Sequence, residues 1–144
     1  MTSNARDEGS TLPLTIFFGV LCLALILIVV DATSLYLERK RLFTVADGAA
    51  LAGSEAFATD GVALTPNGFR PTLRSPDVAA AVTAYLAGIP LPGFDALALG
   101  RADTDDGLSA TVTLSAQWHP PVLTVLVPDG VEIEVTAVAR SVFG

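Results

Sequence analysis

The chain is poor in the residues on which most small-protein chemistry depends. Its 144 residues include one cysteine, Cys22, and one histidine, His119. A lone cysteine excludes an intramolecular disulfide. One histidine, with no thiol outside an apolar run, excludes a His/Cys zinc site. Lys40 is the only lysine among eight basic residues, against fifteen acidic ones, for a formal net charge of −7. From Leu42 onward eleven acidic residues face four arginines, so this portion repels nucleic acid and anionic headgroups. No serine sits in a Gly-x-Ser-x-Gly setting or has a base that can be assigned to it, and no phosphate-binding glycine loop is present. The expectation is a protein that is not an enzyme, takes no cofactor or metal and binds no nucleic acid.

One acidic stretch, Asp103-Thr104-Asp105-Asp106-Gly107, invites comparison with a calcium loop. An EF-hand loop needs glycine sixth and glutamate twelfth. Here glycine is fifth and Leu114 is twelfth, so the stretch reads as a solvated turn. His119, beside Trp118 and two prolines, reads as a structural residue at a strand end.

What the chain does have is apolar length. From Leu12 to Val30 no residue carries a formal charge, and as a helix the run spans about 28 Å, close to the thickness of a bilayer core. Three outcomes fit. The segment is a permanent single-pass helix, or a secretory signal cut after Ala32, or a pilin-type leader cut between Gly9 and Ser10 that leaves the helix on the mature protein. A signal peptide is disfavoured by the length of the run and by the barely basic leader MTSNARDEGS. Charge alone places the remainder in the cytoplasm, because Arg39, Lys40 and Arg41 outweigh Arg6 across the run.

Nothing stops a helix after Val30. Residues 31–60 contain no proline and are rich in Ala, Leu, Glu and Arg, so one helix of about 45 residues is expected, half in lipid and half outside. Its second half crowds small residues: Ala46, Gly48, Ala49, Ala50, Ala52 and Gly53. Small side chains admit close backbone approach, so this face is expected to meet a sheet or a neighbouring helix. Asp47 on that face is either a buried partner for a basic group or a solvated side chain.

Arg6-Asp7-Glu8-Gly9-Ser10, then Leu35 to Leu42 (LYLERKRL), then Ala46 to Gly53 (ADGAALAG) resemble, in that order, the Tad (tight adherence) TadE/TadG-like proteins of Flp pilus assembly. The resemblance covers roughly the first 58 residues. It implies a polar leader at 1–9 cleaved at Gly9/Ser10, a transmembrane helix at 10–30, its extramembrane continuation at 31–60, and a head at 61–144 on the outer side of the membrane. It also implies a minor pilin-like (pseudopilin) role in pilus biogenesis and adhesion. The implied partners are other pilin-like subunits and Tad machinery through the helix, the lipid bilayer, and a prepilin peptidase. Ala46, Asp47, Gly48, Ala49, Ala52 and Gly53 are the implied helix-packing surface, with Asp47 given a packing role by the resemblance. The glutamate that type IV pilins carry as fifth mature residue is Leu14 here. The chain is too short for the extra domain of many TadG-like members, so the resemblance is to a short TadG-like or divergent TadE-like protein. The rival readings are a single-pass scaffold or receptor-like protein with a cytoplasmic acidic domain, and a small secreted protein.

The head is expected to be α+β. Gly61 to Ser75 reads as a surface loop. Ser75 as N-cap, Pro76 and Asp77 open a short helix that stops at Gly88. Ala110, Val112, Leu114, Ala116 and Trp118 alternate with polar residues, as do Val131, Ile133, Val135 and Ala137; both patterns are half-buried strands. Ala96 to Asp103 is a fainter strand, and His119 to Val127 is either a crossing loop or a short strand. The sum is a pilin-like fold, a long helix packed on a three- or four-stranded antiparallel sheet with one short extra helix.

Overall fold

The computed structural model describes residues 11–57, 62–66, 68–91 and 93–140. The leader, with Gly9 and Ser10, lies outside them. Helix α1 runs unbroken from Thr11 to Ser54, 44 residues, or about 66 Å. Pro13 falls in the first turn, where its missing amide removes no helical bond. The hydroxyls of Thr15, Thr33 and Thr44 donate to carbonyls four residues back at 2.9, 2.8 and 3.0 Å, so these exposed hydroxyls are satisfied within the helix. The helix ends at Ser54, short of the expected Asp60. Ser54 Oγ donates to the Leu51 carbonyl at 2.8 Å, and the Ala56 amide turns back to Gly53 O at 3.2 Å. A hydroxyl that competes for the last carbonyls ends a helix without proline.

Two strands follow, β1 (Val62–Thr65) and β2 (Gly68–Pro71), paired antiparallel with Thr65 opposite Gly68. The surface loop expected at 61–75 is thus in part a hairpin. Pro66 and Asn67 between its strands and Gly68 at the start of β2 are turn-forming residues, and the strands are too short for the alternation that reveals longer ones. Helix α2 spans Ser75–Gly88 with Arg74 as N-cap, so Ser75 is not the cap. Its hydroxyl is engaged elsewhere: Ser75 Oγ donates to Thr104 O and accepts from Thr104 N, each at 3.4 Å. Pro76 still sits in the first turn with Asp77, and Pro90 lies just beyond the end.

Strands β3 (Asp95–Asp103), β4 (Ser109–Trp118) and β5 (Val131–Arg140) form an antiparallel meander in the order β3-β4-β5. The faintness of β3 in the sequence has a structural cause. Its pairing with β4 slips between Asp95 and Ala98 and again between Leu99 and Arg101, and Ala96 takes a positive φ of 49°. Such irregularities break the period of two. The stretch after Trp118 is a string of turns rather than a strand.

Both helices lie on one face of the sheet. Ala110, Val112, Leu114 and Ala116 of β4 and Ile133, Val135 and Ala137 of β5 are buried against Leu42, Ala46, Ala49 and Ala50 of α1, with Val78 and Val82 of α2 closing the core. The opposite face of the sheet is polar; there Thr113 and Thr136 share a hydroxyl–hydroxyl bond of 2.9 Å. The architecture is α+β, a long helix and a short one on a three-stranded sheet.

Candidate functional site

The means by which this chain can engage something else are concentrated on α1. From Thr11 to Val30 no side chain is buried, and large apolar residues such as Phe17, Phe18, Leu25 and Ile28 stand fully outward. Backbone in lipid must satisfy its own hydrogen bonds, and an unbroken helix does so. By length and composition this half is able to cross a membrane.

At Asp31 the helix changes character. From there a stripe of buried or half-buried residues, Asp31, Leu35, Glu38, Leu42, Ala46, Ala49 and Gly53, advances three to four residues at a time, the spacing of one helical face. Asp31 itself is 5% exposed. Its Oδ1 accepts the Val122 amide at 3.1 Å, while Oδ2 is buried without a protein partner. One turn on, Trp118 Nε1 donates to Ser34 Oγ at 3.2 Å. The head is therefore pinned to its stem directly above the apolar half. Neither contact was foreseeable from local sequence, since the partners are 91 and 84 residues apart; the only signal was an acid placed directly after the apolar run.

The small-residue stretch divides by burial. Ala46, Ala49 and Gly53 are buried, Gly48 and Ala52 half-buried, and Asp47 exposed. A Cβ on Gly53 would lie 3.1 Å from Val78 Cγ1 and 3.2 Å from both Ala110 Cβ and Val82 Cγ2. A Cβ on Gly48 would meet the Tyr85 hydroxyl. Both α2 and the sheet thus come close to α1 at Gly53, and α2 alone does so at Gly48. Asp47 points away from this contact, and no part of the described head packs over it.

Arg39 and Lys40 are exposed. Arg41, itself exposed, is 3.9 Å from the half-buried Glu38, a long pair that contributes little. A shallow groove lies between α1 and the free edge of β5. Leu35, Tyr36, Arg39 and Ile133 line its lower part, and Tyr36, Lys40, Phe43 and Glu134 its upper part. Tyr36 and Phe43 are largely exposed there.

The acidic turn is built from within. Arg101 donates through Nε to Asp103 at 2.8 Å and through a terminal nitrogen to Asp105 at 2.6 Å. Asp106 Oδ1 accepts the amides of Leu108 (2.8 Å) and Ser109 (2.6 Å), and Oδ2 accepts the Ser109 hydroxyl at 2.9 Å. Those donors, the Leu108 amide foremost, lower its pKa to about 2. The carboxylates shape a hairpin turn around Gly107, whose φ is +67°. Among the described residues no group of three or more candidate ligands is placed to hold a metal. His119 Nδ1 lies 3.4 Å from the Asp95 carboxylate at the foot of the sheet.

A helix bare and apolar for one half, and built into an α+β head for the other, fits a membrane-anchored structural protein. Residues 9–64 match the Tad family model, described as "Putative Flp pilus-assembly TadE/G-like". That segment, 56 of the 144 residues, is similar to the Tad TadE/TadG-like family, and the match supports a role in pilus assembly. The match ends within β1, so α2 and the three-stranded sheet lie beyond it. No curated protein and no solved structure matches the chain.

Proposed function

We propose that the protein is a membrane-anchored minor pilin-like (pseudopilin) component of a Tad/Flp pilus assembly and secretion system, with residues 1–9 as leader, 10–30 as membrane span and 61–144 as an extracytoplasmic head. The observation that carries this reading is the single helix α1, whose apolar half is bare while its other half is the spine of the head. A subunit of this shape meets its neighbours side by side through the stem. Because Ala46, Ala49, Ala50 and Gly53 are covered by the chain's own sheet and α2, contacts to other pilin-like subunits fall to the apolar half and to the side carrying Tyr36 and Phe43. Processing between Gly9 and Ser10 by a prepilin peptidase would leave Leu14 as the fifth residue, without the usual carboxylate. Such a subunit would enter a filament through apolar packing rather than an intramembrane ion pair. A structural part fits the role better than an enzyme.

A reporter fused after Gly144 tests the topology. Activity outside the cytoplasm is expected; cytoplasmic activity refutes the reading. It would favour instead the scaffold with a cytoplasmic acidic domain, to which the exposed Arg39 and Lys40 point by the positive-inside rule. A photo-crosslinker at Phe18 is expected to capture another Tad-system subunit, and intact mass is expected to place the mature start at Ser10.

A further inference from the structure

The loop joining β4 to β5, residues 119–130, has the features of a second contact with the membrane. Strand β4 runs down the helix towards its apolar half. Ala110 packs at Gly53, Trp118 reaches Ser34, and Val122 is bonded to Asp31. The chain then turns and β5 climbs back, with Val131 beside Ala32 and Leu35. The loop is consequently the part of the head nearest the apolar half, and its backbone is tied to the first residue after that half ends. At about 1.5 Å per residue, Asp31 lies only one step beyond Val30. A bilayer that holds residues 12–30 has its surface at this loop.

The loop's chemistry suits that place. In a domain dense with acids, residues 119–128 (HPPVLTVLVP) carry no Asp, Glu, Lys or Arg. Val125 is 92% exposed and Leu126 74%, the barest large apolar side chains among the described residues of the head. Pro120, Pro121 and Pro128 have no amide to satisfy. Several of the other polar groups are engaged: Leu126 N and Val127 N donate to Leu123 O at 2.9 and 3.0 Å, Thr124 Oγ1 to Pro120 O at 2.5 Å, Gly130 N to Val127 O at 3.2 Å, and Val122 N to Asp31. A segment entering the headgroup boundary needs an apolar tip free of charge, and the hydrated headgroup layer can satisfy the backbone groups that the loop leaves open.

We infer that Val125 and Leu126 insert into the interfacial layer of the leaflet from which α1 emerges, so that stem and loop together fix the head's orientation on the membrane. The occupant of this apolar tip is lipid, because the loop is tied at Val122 to Asp31, the residue next to the lipid-facing half of α1. The inference rests on the membrane-anchored reading, and the experiment separates the two.

The full chain is reconstituted at one copy per nanodisc and labelled with an environment-sensitive fluorophore at one cysteine at a time. The sites are native Cys22, Val125→Cys, Leu126→Cys and Val138→Cys, the last three with Cys22→Ser. A nitroxide near the headgroup end of lipid acyl chains is expected to quench the labels at 125 and 126 several-fold more than the label at 138, and one near the methyl end, at the depth of the centre of the 12–30 span, to quench the label at Cys22. Iodide in the buffer should show the reverse order. Quenching at Cys22 without quenching at 125 and 126 overturns the loop contact while leaving the anchored stem intact. Absence of quenching at Cys22 overturns the anchored reading and the loop contact with it. Shielding of 125 and 126 from iodide only when two copies share a disc identifies a second chain as the occupant, and also overturns the lipid contact. The second loop site keeps the outcome decisive if one substitution disturbs folding.

Discussion

Gly53→Ala is the sharpest probe of how the head is joined to its stem. In an isolated helix the substitution is favourable by about 1 kcal/mol, because alanine loses less backbone entropy than glycine. Here the new methyl group would sit 3.1 Å from Val78 Cγ1 and 3.2 Å from Val82 Cγ2 and Ala110 Cβ, each a few tenths of an ångström too close. The valines can adjust by rotating. The Ala110 methyl cannot, so relief requires the centre of the sheet to move away from α1. Overpacking of this kind costs about 1–3 kcal/mol, which exceeds the propensity gain. The expected net effect is a loss of about 1 kcal/mol, or about 4 °C in melting temperature for a domain near this size. Gly48→Ala is the matched control. Its methyl group would meet only the far end of Tyr85, a ring that can swing, so the propensity gain survives and stability holds or rises. The emission of Trp118, the single tryptophan, reads the transition for purified chain in detergent because its indole is bonded to Ser34 of α1. If Gly53→Ala raises the melting temperature as much as Gly48→Ala does, the junction is not close-packed and the account of the small-residue face is wrong.

Other outcomes follow from the same contacts. Gly130→Ala forces a positive φ of 70° on a residue with a Cβ, and places that Cβ 2.8 Å from Trp118 O and 2.9 Å from His119 Nε2; a loss of about 2 kcal/mol or more is expected in thermal unfolding, and an unchanged midpoint would contradict it. Asp31→Ala removes the acceptor of the Val122 amide, and a lost bond of about 1 kcal/mol should speed hydrogen exchange there about fivefold. Equal exchange rates would show that the latch holds nothing. Asp106, with its pKa depressed from 3.8 to about 2, contributes stability that is present above its unfolded value and is lost as pH falls through about 2. The pH dependence of melting between those values should therefore flatten in Asp106→Asn, whose side-chain carbonyl still accepts the two amides, and an unaltered slope would mean that other groups carry it. Leu42→Ala, at a fully buried core position, should cost about 2–5 kcal/mol in the same Trp118 assay; a change below 1 kcal/mol would place the core elsewhere.

What could be read from the chain alone was local and periodic. The run from Leu12 to Val30 is apolar at every turn, so it forms a helix in any apolar medium. Alternation in Ser109–Trp118 and Val131–Ala137 is a property of each strand by itself, and both strands appear where it placed them. The same holds for α2, whose span from Ser75 to Gly88 is bracketed by Pro76 and Pro90. The family resemblance rested on motifs between Arg6 and Gly53, and the match over residues 9–64 covers all of them but Arg6, Asp7 and Glu8. Short or irregular elements were less legible. The β1–β2 hairpin is too brief to show a period, β3 is interrupted twice by slipped pairing, and the end of α1 depends on a hydroxyl that hydrogen-bonds its own helix at Ser54.

The tertiary structure alone decided which side of each element matters. It turned Ala46, Ala49 and Gly53 inwards and Asp47 outwards, a choice that depends on where α2 and the sheet dock and not on the residues of α1. It withdrew Ser75 from capping α2 and tied it to Thr104 across the head. It brought Val122 to Asp31 across 91 positions and set the bare apolar loop at the level where the stem leaves its apolar half. Side-chain periods of 3.6 and 2 are properties of neighbouring residues and survive in the sequence. The meeting of distant segments depends on how the chain turns between them, and that is settled only when the layers pack.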